Sequence, residues 1–195
     1  TKISIPPTVL FTTAAIIEDV TKVVSMDVKQ AGDVVYVLGE TRDEMGGSEY
    51  LALRGQVGAK VPKVDVNKAR ALYERVSHVI ERGLVASCHD CSDGGLGVAL
   101  AESAFAGGLG MRVDLAPVGL GDDVAALFSE SQGRFVVTVR PDHTGTFERA
   151  MTGCPLARLG EVAAGEQLII QRAGRTVAEA SLAELKEAWQ RPLRW

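Results

Sequence analysis

Between positions 65 and 83, apolar residues recur every three to four places, at Val66, Ala69, Leu72, Tyr73, Val76, Val79 and Ile80. That spacing predicts an amphipathic helix, and Gly83 supplies its stop. Elsewhere the pattern condenses into β-branched runs. Residues 33–38 (Asp-Val-Val-Tyr-Val-Leu) and 134–139 (Arg-Phe-Val-Val-Thr-Val) read as buried strands. Further strands are expected at 84–88, 110–115, 156–162, 167–171 and 175–180, the last two joined by a turn at Gly174. Helices are expected at 49–53 behind a Ser48 cap, at 95–106, at 122–128, at 142–151 with Asp142 as cap, and at 182–189 behind Ser181. Strands and helices alternate through most of the chain, but the tail has adjacent strands. The pattern predicts an α/β sandwich on a mixed sheet.

Length and composition keep that picture ordinary. The chain has 195 residues, 46% of them hydrophobic and 24% charged. This is enough to bury one sizeable core. A net charge of -4 gives no basic surface for nucleic acid or acidic membranes. No apolar run reaches the roughly 18 residues needed to span a bilayer. Three cysteines argue against a disulfide framework and for the reducing cytoplasm. The first residue is Thr1, and residues 3–8 read as a connection from something upstream.

Two stretches carry candidate chemistry. Residues 88–95 read Cys-His-Asp-Cys-Ser-Asp-Gly-Gly between a strand and a helix. Asp90, Ser92 and Asp93 are thereby delivered where open α/β sheets bind ligands and where helix N-termini favour anions. The plain alternative is that Ser92 or Asp93 caps the helix. Cys88 and Cys91 have the spacing of a zinc or redox pair, but no second ligand pair accompanies them, so packing is the expectation. The second stretch, residues 128–137, packs a carboxylate, two hydroxyls, an amide and a guanidinium just before a buried strand. Glu130 and Gln132 there either hold a polar ligand or belong to a solvated turn. The Gly46-Gly47-Ser48 loop either cradles an anion or permits a turn.

Four stretches together resemble the C-terminal part of the phosphoribosylformylglycinamidine synthase family, in its synthetase subunits. They are residues 5–8 (Ile-Pro-Pro-Thr), 38–50 (Leu-Gly-Glu-Thr-Arg-Asp-Glu-Met-Gly-Gly-Ser-Glu-Tyr), 89–96 with 101–108, and 128–135 (Phe-Ser-Glu-Ser-Gln-Gly-Arg-Phe). Their order and spacing match over nearly the whole chain. The resemblance implies the C-terminal domain type of the aminoimidazole ribonucleotide synthase-like superfamily. Residues 1–15 would lead in from an upstream N-type domain, and residues 16–195 would form the α/β core of a single C-type domain.

The activity implied is ATP-dependent conversion of formylglycinamide ribonucleotide and glutamine to the amidine, in de novo purine biosynthesis. Most catalytic residues of the family lie in the N-type domains, so the chain alone is expected to be inactive. By resemblance Asp90 contacts magnesium, Ser92 contacts the nucleotide, and Glu130, Ser131 and Gln132 contact substrate. Mg2+ and ATP are the implied cofactors. A glutaminase subunit and a small accessory subunit are the implied partners. Two alternatives stand beside this: a non-catalytic structural module of that enzyme, or a domain of another ATP-dependent member of the superfamily. Residues 3–17, with Val9, Leu10, Phe11, Ile16 and Ile17, are expected to be an exposed apolar patch that favours self-association.

Overall fold

The computed structural model describes residues 9–193. Its strands are β1 (Val34–Leu38), β2 (Ser87–Asp90), β3 (Gly110–Asp114), β4 (Phe135–Val139), β5 (Leu156–Ala163), β6 (Gln167–Arg172) and β7 (Arg175–Ser181). Its helices are α1 (Glu49–Leu53), α2 (Val66–Glu81), α3 (Gly95–Gly107), α4 (Asp123–Phe128), α5 (Thr144–Ala150) and α6 (Leu182–Gln190). The strands form one sheet in the order β2-β4-β1-β5-β3-β6-β7. Neighbours are antiparallel except β3 and β6, which run parallel. The sheet is therefore mixed, as the adjacent tail strands predict.

The period of two along each strand divides the core. On β1, Val35 and Val37 face a cluster with Leu96, Leu100, Met111 and Leu159. Val34, Tyr36 and Leu38 face the other side, against Leu72, Val76 and Val79 of α2 and Phe147 of α5. All five β1 residues are buried, because helices cover both faces of this central strand. The Tyr36 hydroxyl donates to Glu148 Oε1 at 2.7 Å, which satisfies the one polar atom β1 sends into the core.

Two expected elements differ. The strand at 84–88 begins only at Ser87. Leu84 and Val85 are buried, but Leu84 N–H donates to Val79 O and closes the end of α2. Apolarity there marks burial and not ladder pairing. The helix at 142–151 is split: Pro141–His143 form a 3-10 turn, and α5 starts at Thr144. Pro141, with its fixed φ, begins that turn, and no side chain caps α5, so Asp142 is not its cap.

The Ser181 cap holds, and it belongs to a capping box. Ser181 Oγ accepts from Glu184 N, and the Glu184 carboxylate accepts from Ser181 N. Ser181→Ala is expected to cost about 1 kcal/mol. A urea midpoint that does not move would show that the box contributes nothing.

Residues 5–8 lie outside the described residues. Of the apolar lead-in, Val9, Leu10, Phe11, Ile16 and Ile17 are 64% to 94% exposed.

Candidate functional site

The topology brings the two candidate stretches together. β1 and β2 both pair antiparallel with β4, which lies between them. Leu38 and Asp90 therefore both face Phe135, the first residue of β4. The loop leaving β1, the turn leaving β2 and the turn entering β4 meet at one edge of the sheet.

Glu130 joins them. Its Oε1 accepts from the backbone N–H of Glu49, at the start of α1, and from that of Gly94, before α3, each at 2.9 Å. One carboxylate thus satisfies donors from both other loops. Ser131 is buried, and its hydroxyl accepts from Arg42 N and reaches Arg42 O. It fixes the β1 loop. Gln132 is exposed, and its amide donates to Glu130 O. It borders a cleft of about 50 Å³ shared with Arg42, Lys63 and Lys68.

Sequence reasoning gave Arg134 no separate role, yet it organises this corner. It is 1% exposed. Its guanidinium donates to Ser131 O, Ser129 O and Thr41 Oγ1, at 2.9, 2.6 and 3.0 Å. Burial lowers its pKa below the ordinary arginine value. A buried arginine has the same one-letter signature as a solvated one, so no pattern marks it.

The 91–94 turn differs from a capped helix start. The residue preceding α3 is Gly94, in the left-handed region, and no side chain caps the helix. The capping role considered for Ser92 and Asp93 is therefore absent. Ser92 Oγ instead donates to Asp90 Oδ2. The Asp90 side chain is 61% exposed. The Ser92 hydrogen bond, helped by the nearby His89, holds its carboxyl below the usual carboxylate range. Asp90 is thus an exposed, readily ionised oxygen ligand beside a hydroxyl.

The glycine loop does not form an anion cradle. Gly46 N donates to Lys60 O, Gly47 N to Val57 O and Ser48 N to Met45 O. Its donors are consumed internally, and Ser48 Oγ caps Leu51 N. The cysteines pack. Cys91 lies in the first core cluster and Cys88 against the second. Burial pushes their thiols up, to about 11 and about 12, away from the thiolate that redox or metal chemistry uses.

Among the described residues, no group of three or more His, Cys, Asp or Glu could hold a metal ion. A magnesium ion nevertheless needs only one or two carboxylates when phosphate and water supply its other oxygens. Asp90 fits that partial role and not a free-standing metal centre. No helix among the described residues is long and apolar enough to cross a membrane.

Mixed topology, helices on both faces and three loops meeting at one sheet edge define the class. The chain matches the family described as "AIR synthase related protein, C-terminal domain" over residues 30–172, and it belongs to that family. Its relatives are PurL subunits. It is 41% identical over 190 residues to the phosphoribosylformylglycinamidine synthase subunit PurL of Alkaliphilus metalliredigens, covering 96% of this chain and 25% of that protein. To the Limosilactobacillus reuteri subunit it is 37% identical over 188 residues, covering 96% and 24%. The chain spans about a quarter of the length of these relatives. Among solved structures, Thermotoga maritima PurL complexed with FGAR has a TM-score of 0.74 at 22% identity, covering 85% of this chain and 30% of that one. Escherichia coli HypE, a hydrogenase maturation protein, has a TM-score of 0.59 at 19% identity, covering 81% and 51%. At these identities the structures speak for the fold.

Proposed function

We propose that this chain serves as the C-terminal domain of a phosphoribosylformylglycinamidine synthase synthetase subunit. The parent reaction is the ATP-dependent conversion of formylglycinamide ribonucleotide and glutamine to formylglycinamidine ribonucleotide. The observation that carries the reading is 41% identity to a PurL subunit across 96% of the chain. Solved relatives described as PurL complexed with ATP and as PurLQS accord with a nucleotide-using, multi-subunit enzyme. A glutaminase subunit, a small accessory subunit and the upstream domains are the proposed partners. The cytoplasm is the proposed location. Residues 1–15 as the lead-in from an upstream domain, and 16–195 as one domain, belong to the same reading.

Within that enzyme Asp90 contacts a nucleotide-borne magnesium ion, and Ser92 contacts the nucleotide. When bound, the ion neutralises phosphate charge. This chain contributes an anionic oxygen, kept ionised by its Ser92 bond, and an adjacent hydroxyl. On the other side of the corner, Glu130 and Gln132 face substrate. Ser131 serves the same contact from behind, because its hydroxyl fixes the Arg42 loop.

Asp90→Asn in the longer subunit tests this. Losing one charge-assisted contact is worth about 1.5–3 kcal/mol, so magnesium–ADP affinity is expected to fall roughly ten- to a hundredfold. The melting temperature is expected to hold, since Asp90 caps nothing. Unchanged affinity would remove Asp90 from the nucleotide site. The chain by itself is expected to form no amidine, and turnover by residues 1–195 alone would overturn the assignment of catalysis to upstream domains.

A further inference from the structure

A polar chain leads away from Asp90 into the fold, and its members have no role in the function proposed above. His89 is nearly buried, with 15% of its side chain exposed. Its Nδ1 faces Asp90 Oδ1 at 3.5 Å. Its Nε2 lies 2.7 Å from Glu102 Oε2, on α3. The other oxygen, Glu102 Oε1, accepts from Trp189 Nε1, on α6, at 2.9 Å. Glu102 is thus the midpoint of a path from the C-terminal helix to the β2 turn. Its place is unusual: α3 reads Gly-Leu-Gly-Val-Ala-Leu-Ala-Glu-Ser-Ala-Phe-Ala-Gly, and Glu102 is the one charged residue in it. The surrounding groove, lined by Ala101, Phe105, Leu168 and Trp189, is largely apolar, with Glu179 its one other charged residue.

We infer that Glu102 is a positioning residue that fixes the His89 ring against Asp90 and so orients the Asp90–Ser92 turn. The part of the inference that concerns ligand binding rests on the reading of Asp90 as a contact for magnesium-bound phosphate. The chemistry follows from donor and acceptor inventory. A carboxylate only accepts hydrogen bonds, and the indole N–H only donates. The hydrogen between His89 and Glu102 therefore belongs to Nε2. That gives Nε2 its hydrogen and sets which way the ring faces, with Nδ1 toward Asp90, as carboxylates do for histidines that serve a site. Trp189 donates to the second oxygen, Oε1, and leaves Oε2 as the acceptor for His89. The competing role is a clasp: Glu102 would merely tie α3 to α6 through Trp189, and His89 would be a bystander.

The two roles part at His89. The experiment reads the 15N signals of the His89 ring in the 195-residue chain, with the other two histidines, His78 and His143, as internal references. The wild type is expected to show Nε2 carrying a hydrogen-bonded hydrogen. Glu102→Ala is expected to remove that hydrogen bond and shift the Nε2 signal. Trp189→Phe keeps an aromatic ring near Phe105 but removes the indole donor, and it is expected to leave the His89 signals in place. Should Glu102→Ala fail to fold, Glu102→Leu fills the apolar groove without an acceptor and gives the same reading. In the longer subunit, Glu102→Ala or Glu102→Leu is expected to lower magnesium–ADP affinity about tenfold, the usual loss when a ligand's support is removed, and Trp189→Phe is expected to leave it unchanged. His89 signals that ignore the loss of Glu102, or that move equally in Trp189→Phe, would overturn the inference in favour of the clasp. The Asp90→Asn titration separates the two readings. If Asp90→Asn leaves affinity unchanged while His89 responds to Glu102 alone, the positioning role stands and the nucleotide contact at Asp90 falls.

Discussion

Arg134→Ala is expected to destabilise the fold by about 4 kcal/mol, the largest single-residue loss among the polar side chains of the site. The reason is arithmetic at one guanidinium. Arg134 is 1% exposed and holds the carbonyls of Ser129 and Ser131 and the hydroxyl of Thr41. Truncation leaves two buried carbonyls without donors, each costing about 1–3 kcal/mol, and opens a cavity where the side chain lay. In a chain of this length, 1 kcal/mol moves the melting temperature by about 2–4 °C, so a fall near 10 °C is the expected reading. Arg134→Lys keeps the charge and most of the stem. A single ammonium cannot span three acceptors arranged for a planar fork, so lysine is expected to recover only part of the loss. A melting temperature within 2 °C of wild type for Arg134→Ala would show that water replaces the guanidinium without penalty. Full recovery by lysine would show that charge alone, and not geometry, holds the corner.

Local patterns in the sequence predict the elements that such patterns determine. The β1 strand is five apolar residues long and buried throughout, so composition alone marks it. Helix α2 declares itself by periodicity, and Leu72, Val76 and Val79 are its buried stripe. Val66 and Tyr73 continue the same stripe yet remain exposed, at 71% and 48%. Periodicity predicts a face, and only tertiary contact decides how far along the helix that face is covered. Ser48 and Ser181 cap as expected, and Asp65 and Asp122 prove to cap α2 and α4 in the same way, because a cap needs only residues within three positions.

The site is a different matter. Its motifs are visible one by one, but their meeting depends on β4 lying between β1 and β2. Strand order leaves no mark on a local pattern. Glu130 reaches donors 36 and 81 residues away in the chain. No spacing rule connects residues at such separations. The same limit explains the turn after β2. Read locally, Ser92 and Asp93 before a helix suggest a cap. In the fold, Gly94 takes the left-handed conformation and the cap donor is met by Glu130 from another loop. Glu102 stands alone as a charge in an apolar helix, and such a charge normally needs a partner. No partner for it is assigned from sequence, and only the fold brings His89 and Trp189 to it.

Gly95→Ala is expected to pull this corner apart, at a cost of about 2–5 kcal/mol. Gly95 has φ +66, a conformation that costs an L-residue about 1–2 kcal/mol. A Cβ there would stand 2.3 Å from Ser129 O and 2.9 Å from Leu127 O. Both are backbone atoms at the start of the Glu130 turn, so no rotamer change relieves the clash, and overpacking of this kind adds about 1–3 kcal/mol. The β2 turn must then move away from the β4 turn. Glu130 Oε1 can no longer meet the N–H groups of Gly94 and Glu49 at once. Hydrogen exchange at Gly94 is expected to quicken by more than the global loss explains. Gly47→Ala is the control: its φ is +76, but nothing lies within 4 Å of its Cβ position, so only the backbone penalty of about 1–2 kcal/mol applies. Urea titration of the two variants separates strain from contact. An equal loss in both would mean that the close approach of the two turns contributes nothing, and that Glu130 holds them together without needing a glycine between them.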